Sequence, residues 1–206
     1  MPLVEKEVLS FGIKADISEK EKTADSHIKS AFLKANTKEH LLLLYPEDED
    51  VKRIIDNELI KIKIELDVFP PKGATFETKY RLVPSPYSIN MYDESSLLAG
   101  KIHAILCRGW QNRVKGRDLY DYIFFLSKNI KCNSLHLKER LKDSGKVLDS
   151  DKIDDDDIKG MLIEKFSNID YNIAIDDVKN FLKDKSSLKL WNKDFFIGIT
   201  KGYNFS

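Results

Sequence analysis

The spacing of apolar residues along the chain changes near residue 92. Before that residue, apolar and polar residues mostly alternate, which is the period of a half-buried β-strand. After it, apolar residues recur every three or four positions, which is the period of an amphipathic helix. We therefore expect an α+β fold in which a sheet-containing domain, residues 1–92, is followed by a helical domain, residues 93–206.

The clearest strand of the first part covers residues 61–69, with the sequence KIKIELDVF. Its charged residues share one face, and its apolar residues share the other, which we expect to be turned toward the core. The apolar face consists of Ile62, Ile64, Leu66 and Val68. Pro70 and Pro71 end the strand because proline has no N–H group to donate. Further strands are predicted at residues 12–18 and 76–83, and helices near residues 2–10 and 48–58.

Three segments of the second part repeat apolar residues at helical spacing. Leu98, Ile102 and Ile105 form the first set, and equivalent sets follow Gly116 and residue 157. Four aspartates at residues 154–157 precede the third set, and their charge favours a solvated helix start over a metal site. The last apolar sets predict helices near residues 178–182 and 191–199.

Charge and composition limit the possible functions. The 206 residues include 34 Lys and Arg and 34 Asp and Glu, so the formal net charge is zero and no overall field attracts nucleic acid. No apolar run reaches the roughly 20 residues of a membrane span, and the charged start is unlike a signal peptide. Cys107 and Cys132 are too few for a disulfide scaffold. We expect a cytoplasmic protein.

Two carboxylates on the polar face of the 61–69 strand are the first candidate site. Glu65 and Asp67 are close enough to hold Mg²⁺, which prefers oxygen ligands and often binds one or two acids together with substrate phosphates. The alternative is an exposed sheet face on which Lys61 and Lys63 balance the two acids. Periodicity alone favours the alternative.

Residues 101–117 are the second candidate site, because this segment carries five cations and no acid. Lys101 and Arg108 are two helical turns apart, flank the apolar stripe, and are expected to form the wall of a cleft. Such cations suit a triphosphate or an RNA backbone. Trp110 could stack on a base or pack in the core. The five cations are Lys101, Arg108, Arg113, Lys115 and Arg117.

Asp118 and Asp121 follow this segment and share one helix face. Asp118 could cap the helix, or it could orient Lys101 or Arg108 across the helix pair. His103 and Cys107 fall on other faces of the preceding helix than Lys101, so we expect them to be structural.

Two stretches, KIKIELDVFPP and SSLLAGKIHAILCRGWQNRVKGRDLYDYIFFL, resemble the AbiEii/AbiGii family of nucleotidyltransferase-like toxins. The resemblance covers nearly the whole chain. It implies a partial nucleotidyltransferase-type mixed sheet, related to DNA polymerase β, with flanking helices and a helical C-terminal part. It also implies an NTP and Mg²⁺ as cofactors, transfer to RNA or tRNA, and a cognate antitoxin in a phage-defence (abortive infection) system.

The same resemblance implies roles for individual residues. Glu65 matches the family's third acidic position, with Asp67 as a second candidate, and both would bind the metal. Lys101 and Asp118 match the lysine and aspartate of the helical motif, which makes them, with Glu65, the expected catalytic residues. Nucleotide binding is expected from Lys101, Arg108, Lys115 and Arg117.

The family's Gly-Ser and Asp-x-Asp motifs have no counterpart in this sequence. We therefore expect a truncated toxin that is inactive alone, and whether the chain is an enzyme stays open. The alternative is a non-catalytic remnant that binds nucleotide, RNA or a protein. An exposed sheet edge would also permit self-association.

Overall fold

The computed structural model describes residues 2–10, 12–20, 28–38, 49–83, 85–109, 114–148 and 152–205. The chain divides into two compact units, Met1–Pro70 and Pro71–Ser206, each of which has its own secondary structure. The division after residue 92 that periodicity indicates stays a prediction. Within the described ranges, no helix is both long and apolar enough to cross a membrane.

The first unit contains a three-stranded antiparallel sheet in the order β1-β2-β3. Its central strand is the buried one: Ala31, Leu33 and Ala35 alternate with half-buried residues, and Leu33 lies opposite Ile17 and Ile62. The elements are α1 (Pro2–Ser10), β1 (Ala15–Lys20), β2 (Ile28–Asn36), α2 (Glu49–Lys52) and β3 (Leu59–Asp67).

The apolar face of β3 is not buried, which contradicts the expectation from its alternating sequence. Ile62 is 53% exposed and Leu66 is 60% exposed. The reason is the position of the strand: β3 is an edge strand, whereas α1 contacts β1 at the opposite edge. Alternation therefore predicts the strand and its two faces, but it does not tell which face is covered.

The second unit combines a β-hairpin with six described α-helices. The hairpin is β4 (Phe76–Arg81) and β5 (Tyr87–Tyr92). The helices are α3 (Glu94–Cys107), α4 (Gly116–Ser127), α5 (Ser134–Asp143), α6 (Asp155–Ser167), α7 (Tyr171–Val178) and α8 (Lys193–Gly202). Two 3₁₀ turns, Lys179–Phe181 and Ser186–Leu190, lie between α7 and α8.

Polar caps fix where most of these helices begin. The Asp93 side chain accepts a hydrogen bond from the Ser96 N–H at 2.8 Å, which starts α3. Asp154 and Asp157 form a reciprocal capping box at the start of α6, as expected for a solvated helix start. The start of α4 differs, because its N-cap residue, Lys115, makes no side-chain cap.

The core of the second unit lies between its helices. Leu98, Ile102 and Ile105 of α3 are fully buried, as their spacing predicts. Phe166 and Phe196 join α6 to α8, with ring centroids 5.2 Å apart. Burial of these apolar side chains is the main favourable term for the unit.

The α+β class is confirmed, with differences in detail. The described strands form no mixed sheet, because all three pairings are antiparallel between strands that follow each other along the chain. The helix expected near residues 48–58 covers only Glu49–Lys52, and the helix expected near 178–182 ends at Val178. Sequence periodicity misses β2, β5 and α5.

Gly116 allows α4 and α7 to approach closely. A Cβ atom at this position would lie 1.9 Å from the main-chain carbonyl oxygen of Ala174 and 3.3 Å from Cβ of Val178. The backbone of α7 thus occupies the space that any side chain would need, and this contact places the first turn of α4.

We predict that Gly116→Ala destabilises the protein by about 3 kcal/mol, because the two helices must separate to admit the methyl group. Gly198→Ala is the matched control: Gly198 lies inside α8 with open space around the Cβ position, so alanine should stabilise by up to about 1 kcal/mol. Urea unfolding of both variants measures the difference. Equal free energies of unfolding would contradict this packing.

Candidate functional site

Two ion pairs join α3 to α4. The Lys101 ammonium lies 2.5 Å from Oδ2 of Asp121, and the Arg108 guanidinium donates to Oδ2 of Asp118. The cations are two turns apart on α3, and the carboxylates are one turn apart on α4. The apolar stripe of α3 is fully buried, and its burial fixes which side of α3 carries the two cations toward α4.

The two partners of the Arg108–Asp118 pair differ in burial. The Asp118 side chain is 7% exposed, whereas that of Arg108 is 48% exposed. Asp118 lies in the first turn of α4, where the helix dipole favours a negative charge. Lys115 is the N-cap of α4, so Asp118 does not cap the helix but orients Arg108.

The first cleft runs along α3 and has a volume of about 600 Å³. His103 and Cys107 line it together with Lys101, although the three residues lie on different faces of α3. The cleft covers more of the circumference of α3 than a single stripe of a helical wheel. Residues that line this cleft include Lys101, His103, Cys107, Arg108, Asp118 and Arg140.

The second cleft adjoins the two ion pairs and has a volume of about 510 Å³. Lys115 and Arg117 line it, and the Arg117 guanidinium lies 5.0 Å from the ring centroid of Phe181 and 3.6 Å from Oδ2 of Asp177. Lys101, Arg108 and Asp118 line both clefts. The ion pairs therefore lie at the junction of two basic cavities.

Glu65 and Asp67 lie in the first unit, on the polar face of β3. Glu65 is 2.7 Å from the Lys63 ammonium and accepts a hydrogen bond from Ser30, and Asp67 accepts one from the Phe69 N–H at 3.1 Å. Carboxylate oxygens are ligands that Mg²⁺ prefers, but the Glu65 carboxylate is paired with the Lys63 ammonium. The described part of the chain contains no group of three or more His, Cys, Asp or Glu side chains that could hold a metal ion.

Two predicted residues, Trp110 and Arg113, lie outside the described residues. Arg140 and Phe181 also line the clefts but are not among the predicted site residues. Arg140 is on α5, a helix indicated only by Leu137 and Leu141, four positions apart. Phe181 follows α7 and is expected to belong to a helix; it is 67% exposed instead.

We predict an asymmetry between the partners of the buried pair. Arg108→Gln leaves the Asp118 carboxylate buried without its partner and should lower the free energy of unfolding by about 3 kcal/mol. Asp118→Asn leaves an arginine that is half-exposed to water, so it should lower the free energy of unfolding by only about 1 kcal/mol. The double variant should recover part of the first loss. Urea unfolding at neutral pH measures all three, and equal single-variant losses would contradict the assignment of Asp118 as the buried anchor.

Comparison with known proteins identifies one family. The model of a family described as the nucleotidyl transferase AbiEii toxin of a type IV toxin–antitoxin system matches residues 5–196. Neither a curated protein nor a solved structure matches the chain.

Proposed function

The chain belongs to the AbiEii family of nucleotidyltransferase toxins of type IV toxin–antitoxin systems, and we propose that its site serves the transfer of a nucleotidyl group from an NTP to RNA. That the chain is inactive alone, because it lacks counterparts of the Gly-Ser and Asp-x-Asp motifs, stays a prediction. The family implies an antitoxin as its partner. The observation that carries the proposal is the pair of ion pairs, Lys101–Asp121 and Arg108–Asp118, at the junction of two clefts. One cleft then receives the nucleotide and the other the acceptor.

Lys101 and Arg108 bind the phosphates in this proposal. The lysine presents a compact charge, and the arginine presents a planar set of donors that matches phosphate oxygens. Their carboxylate partners hold both cations in place before the substrate arrives, so little reorganisation accompanies binding. Nucleotidyl transfer depends mainly on such positioning and on charge neutralisation.

Glu65 and Asp67 would hold Mg²⁺, because both carboxylates lie on one exposed face of β3. The metal, when bound, neutralises phosphate charge and favours ionisation of the attacking hydroxyl. Glu65 must exchange the Lys63 ammonium for the metal, since the two are 2.7 Å apart. This exchange makes Lys63 a competitor of the metal.

The second cleft suits the RNA acceptor. Lys115 and Arg117 can contact phosphates of the backbone, and the exposed Phe181 ring can stack on an unpaired base. The tight contact of Arg117 with the Phe181 ring places a cation beside that stacking surface. Single-stranded RNA therefore fits this cleft better than a duplex, whose bases are already stacked.

A second candidate function is binding of nucleotide or RNA without transfer. It is favoured by the absence of any third metal ligand near Glu65 and Asp67 among the described residues. Incubation with α-phosphate-labelled NTPs, Mg²⁺ and tRNA separates the two functions. Label on the RNA shows transfer by this chain alone, whereas binding without label agrees with the second candidate and with the predicted inactivity of the chain alone.

Three further expectations concern the setting of the protein. Action against phage and a cytoplasmic location fit a toxin with an antitoxin partner and stay proposals. Self-association through the edge of β3 also stays a proposal, supported by the exposed Ile62 and Leu66 on that strand.

We predict that Mg²⁺ and an NTP raise the melting temperature of the wild type and that Lys101→Ala removes most of this shift, because the lysine charge contacts the phosphates. Lys128→Ala is the matched control. Lys128 is also a half-exposed lysine in an ion pair, with Glu94, but it lines neither cleft. Equal loss in both variants would indicate a general charge effect and contradict the site.

We predict that Phe181→Ala weakens binding of a single-stranded RNA oligonucleotide about tenfold, through loss of a stacking contact, and leaves NTP binding unchanged. Phe124→Ala provides the control, because Phe124 is 43% exposed and contacts a lysine but lies outside both clefts. Fluorescence anisotropy measures RNA binding. An unchanged affinity in Phe181→Ala would place the acceptor elsewhere.

A further inference from the structure

Two residues that line the first cleft each have a buried side-chain nitrogen that lacks a hydrogen-bond partner. These atoms are Nε2 of His103 and Nε of Arg140. Buried polar groups in folded proteins are nearly always paired, so these two residues stand out in the lining of the cleft. His103 belongs to the segment of residues 101–117, whereas Arg140 lies outside it.

The cations of the cleft differ in their partners. Lys101 and Arg108 each contact a carboxylate, so each contributes little net charge to a ligand. The guanidinium of Arg140 makes no ion pair and no side-chain hydrogen bond with any other residue that the structure describes. Arg140 is thus the cation of the first cleft that lacks an ion-pair partner among the described residues.

The packing of α5 on α3 holds Arg140 in this position. Cζ of Arg140 lies 3.9 Å from the place that a Cβ atom on Gly100 would occupy, so the guanidinium covers α3 at the turn that also carries Lys101 and His103. Leu137 and Leu141, on either side of Arg140 in α5, are fully buried. The arginine is therefore anchored by a rigid element.

His103 lies beside this charge as a neutral side chain. Burial lowers its pKa, and the nearby Arg140 guanidinium lowers it further. A neutral imidazole has a single N–H, and the His103 ring makes a hydrogen bond with the Arg140 backbone, so His103 supports the position of Arg140 and does not donate to a ligand. The planar guanidinium of Arg140 is the group that matches phosphate oxygens.

We propose that Arg140 forms a phosphate-binding subsite of the first cleft, which holds part of the triphosphate of the nucleotide. The inference rests on the proposed function, because it places the NTP in the cleft that Lys101 and Arg108 also line. In this arrangement Lys101 and Arg108 position the phosphates. Arg140, which lies outside the helical motif, balances the negative charge of the phosphates.

Isothermal titration with inorganic tripolyphosphate, in the absence of metal, tests the subsite directly. Arg140→Gln should weaken binding at least tenfold, because a charged donor pair to phosphate is lost. Arg140→Lys keeps the charge without the planar fork and should give an intermediate loss. Melting temperatures close to that of the wild type show that each variant is folded.

Arg81→Gln is the matched control. Arg81 is an exposed arginine of the same unit, on β4, and lines neither cleft, so its loss removes one charge without touching the subsite. Its affinity for tripolyphosphate should stay within twofold of the wild type. Equal weakening in Arg140→Gln and Arg81→Gln would overturn the proposal, since it would reflect net charge alone.

Two further outcomes separate this inference from the function on which it rests. Loss of binding in Lys101→Ala with no change in Arg140→Gln would contradict the subsite and leave the nucleotide site intact. Absence of tripolyphosphate and NTP binding in the wild type would contradict both. If Arg140→Gln weakens binding of a single-stranded RNA oligonucleotide but not binding of tripolyphosphate, the cavity holds an RNA phosphate and the proposal is overturned.

Discussion

The second unit depends on a carboxylate that is buried beside the first turn of a helix. Asp118 is nearly inaccessible to water, and an ionised group in such a position requires a partner. Arg108 supplies that partner from α3, and this contact fixes the register of α3 against α4. Gly116 has a related role, because its missing side chain lets α7 set the position of the same helix turn.

The register of α3 against α4 also determines where the cations of the clefts lie. The first cleft contains cations of two kinds: Lys101 and Arg108 are paired with carboxylates, whereas Arg140 has no such partner among the described residues. In the proposed function, the paired cations position the phosphates of the ligand, and Arg140 makes binding of their negative charge favourable.

The spacing of nearby residues in the sequence predicts those structural features that depend on nearby residues alone. The spacing of Leu98, Ile102 and Ile105 predicts α3 and its buried face, and the seven-residue step from Lys101 to Arg108 predicts a shared cleft wall. The burial of the β3 face and the presence of Arg140 in the cleft depend on elements distant in the sequence. A helical wheel, by contrast, excludes His103 from the cleft because it cannot show how wide a cavity the packing of α5 on α3 leaves.

In the proposed function, the junction between the two clefts holds the phosphates of a nucleotide. A crystal structure of the protein with Mg²⁺ and a non-hydrolysable NTP tests this binding mode. We expect triphosphate oxygens within hydrogen-bond distance of Lys101 and Arg108, with the phosphate chain in the first cleft. Nucleotide bound away from both residues, with the ion pairs unchanged, would show that the junction is not the phosphate site.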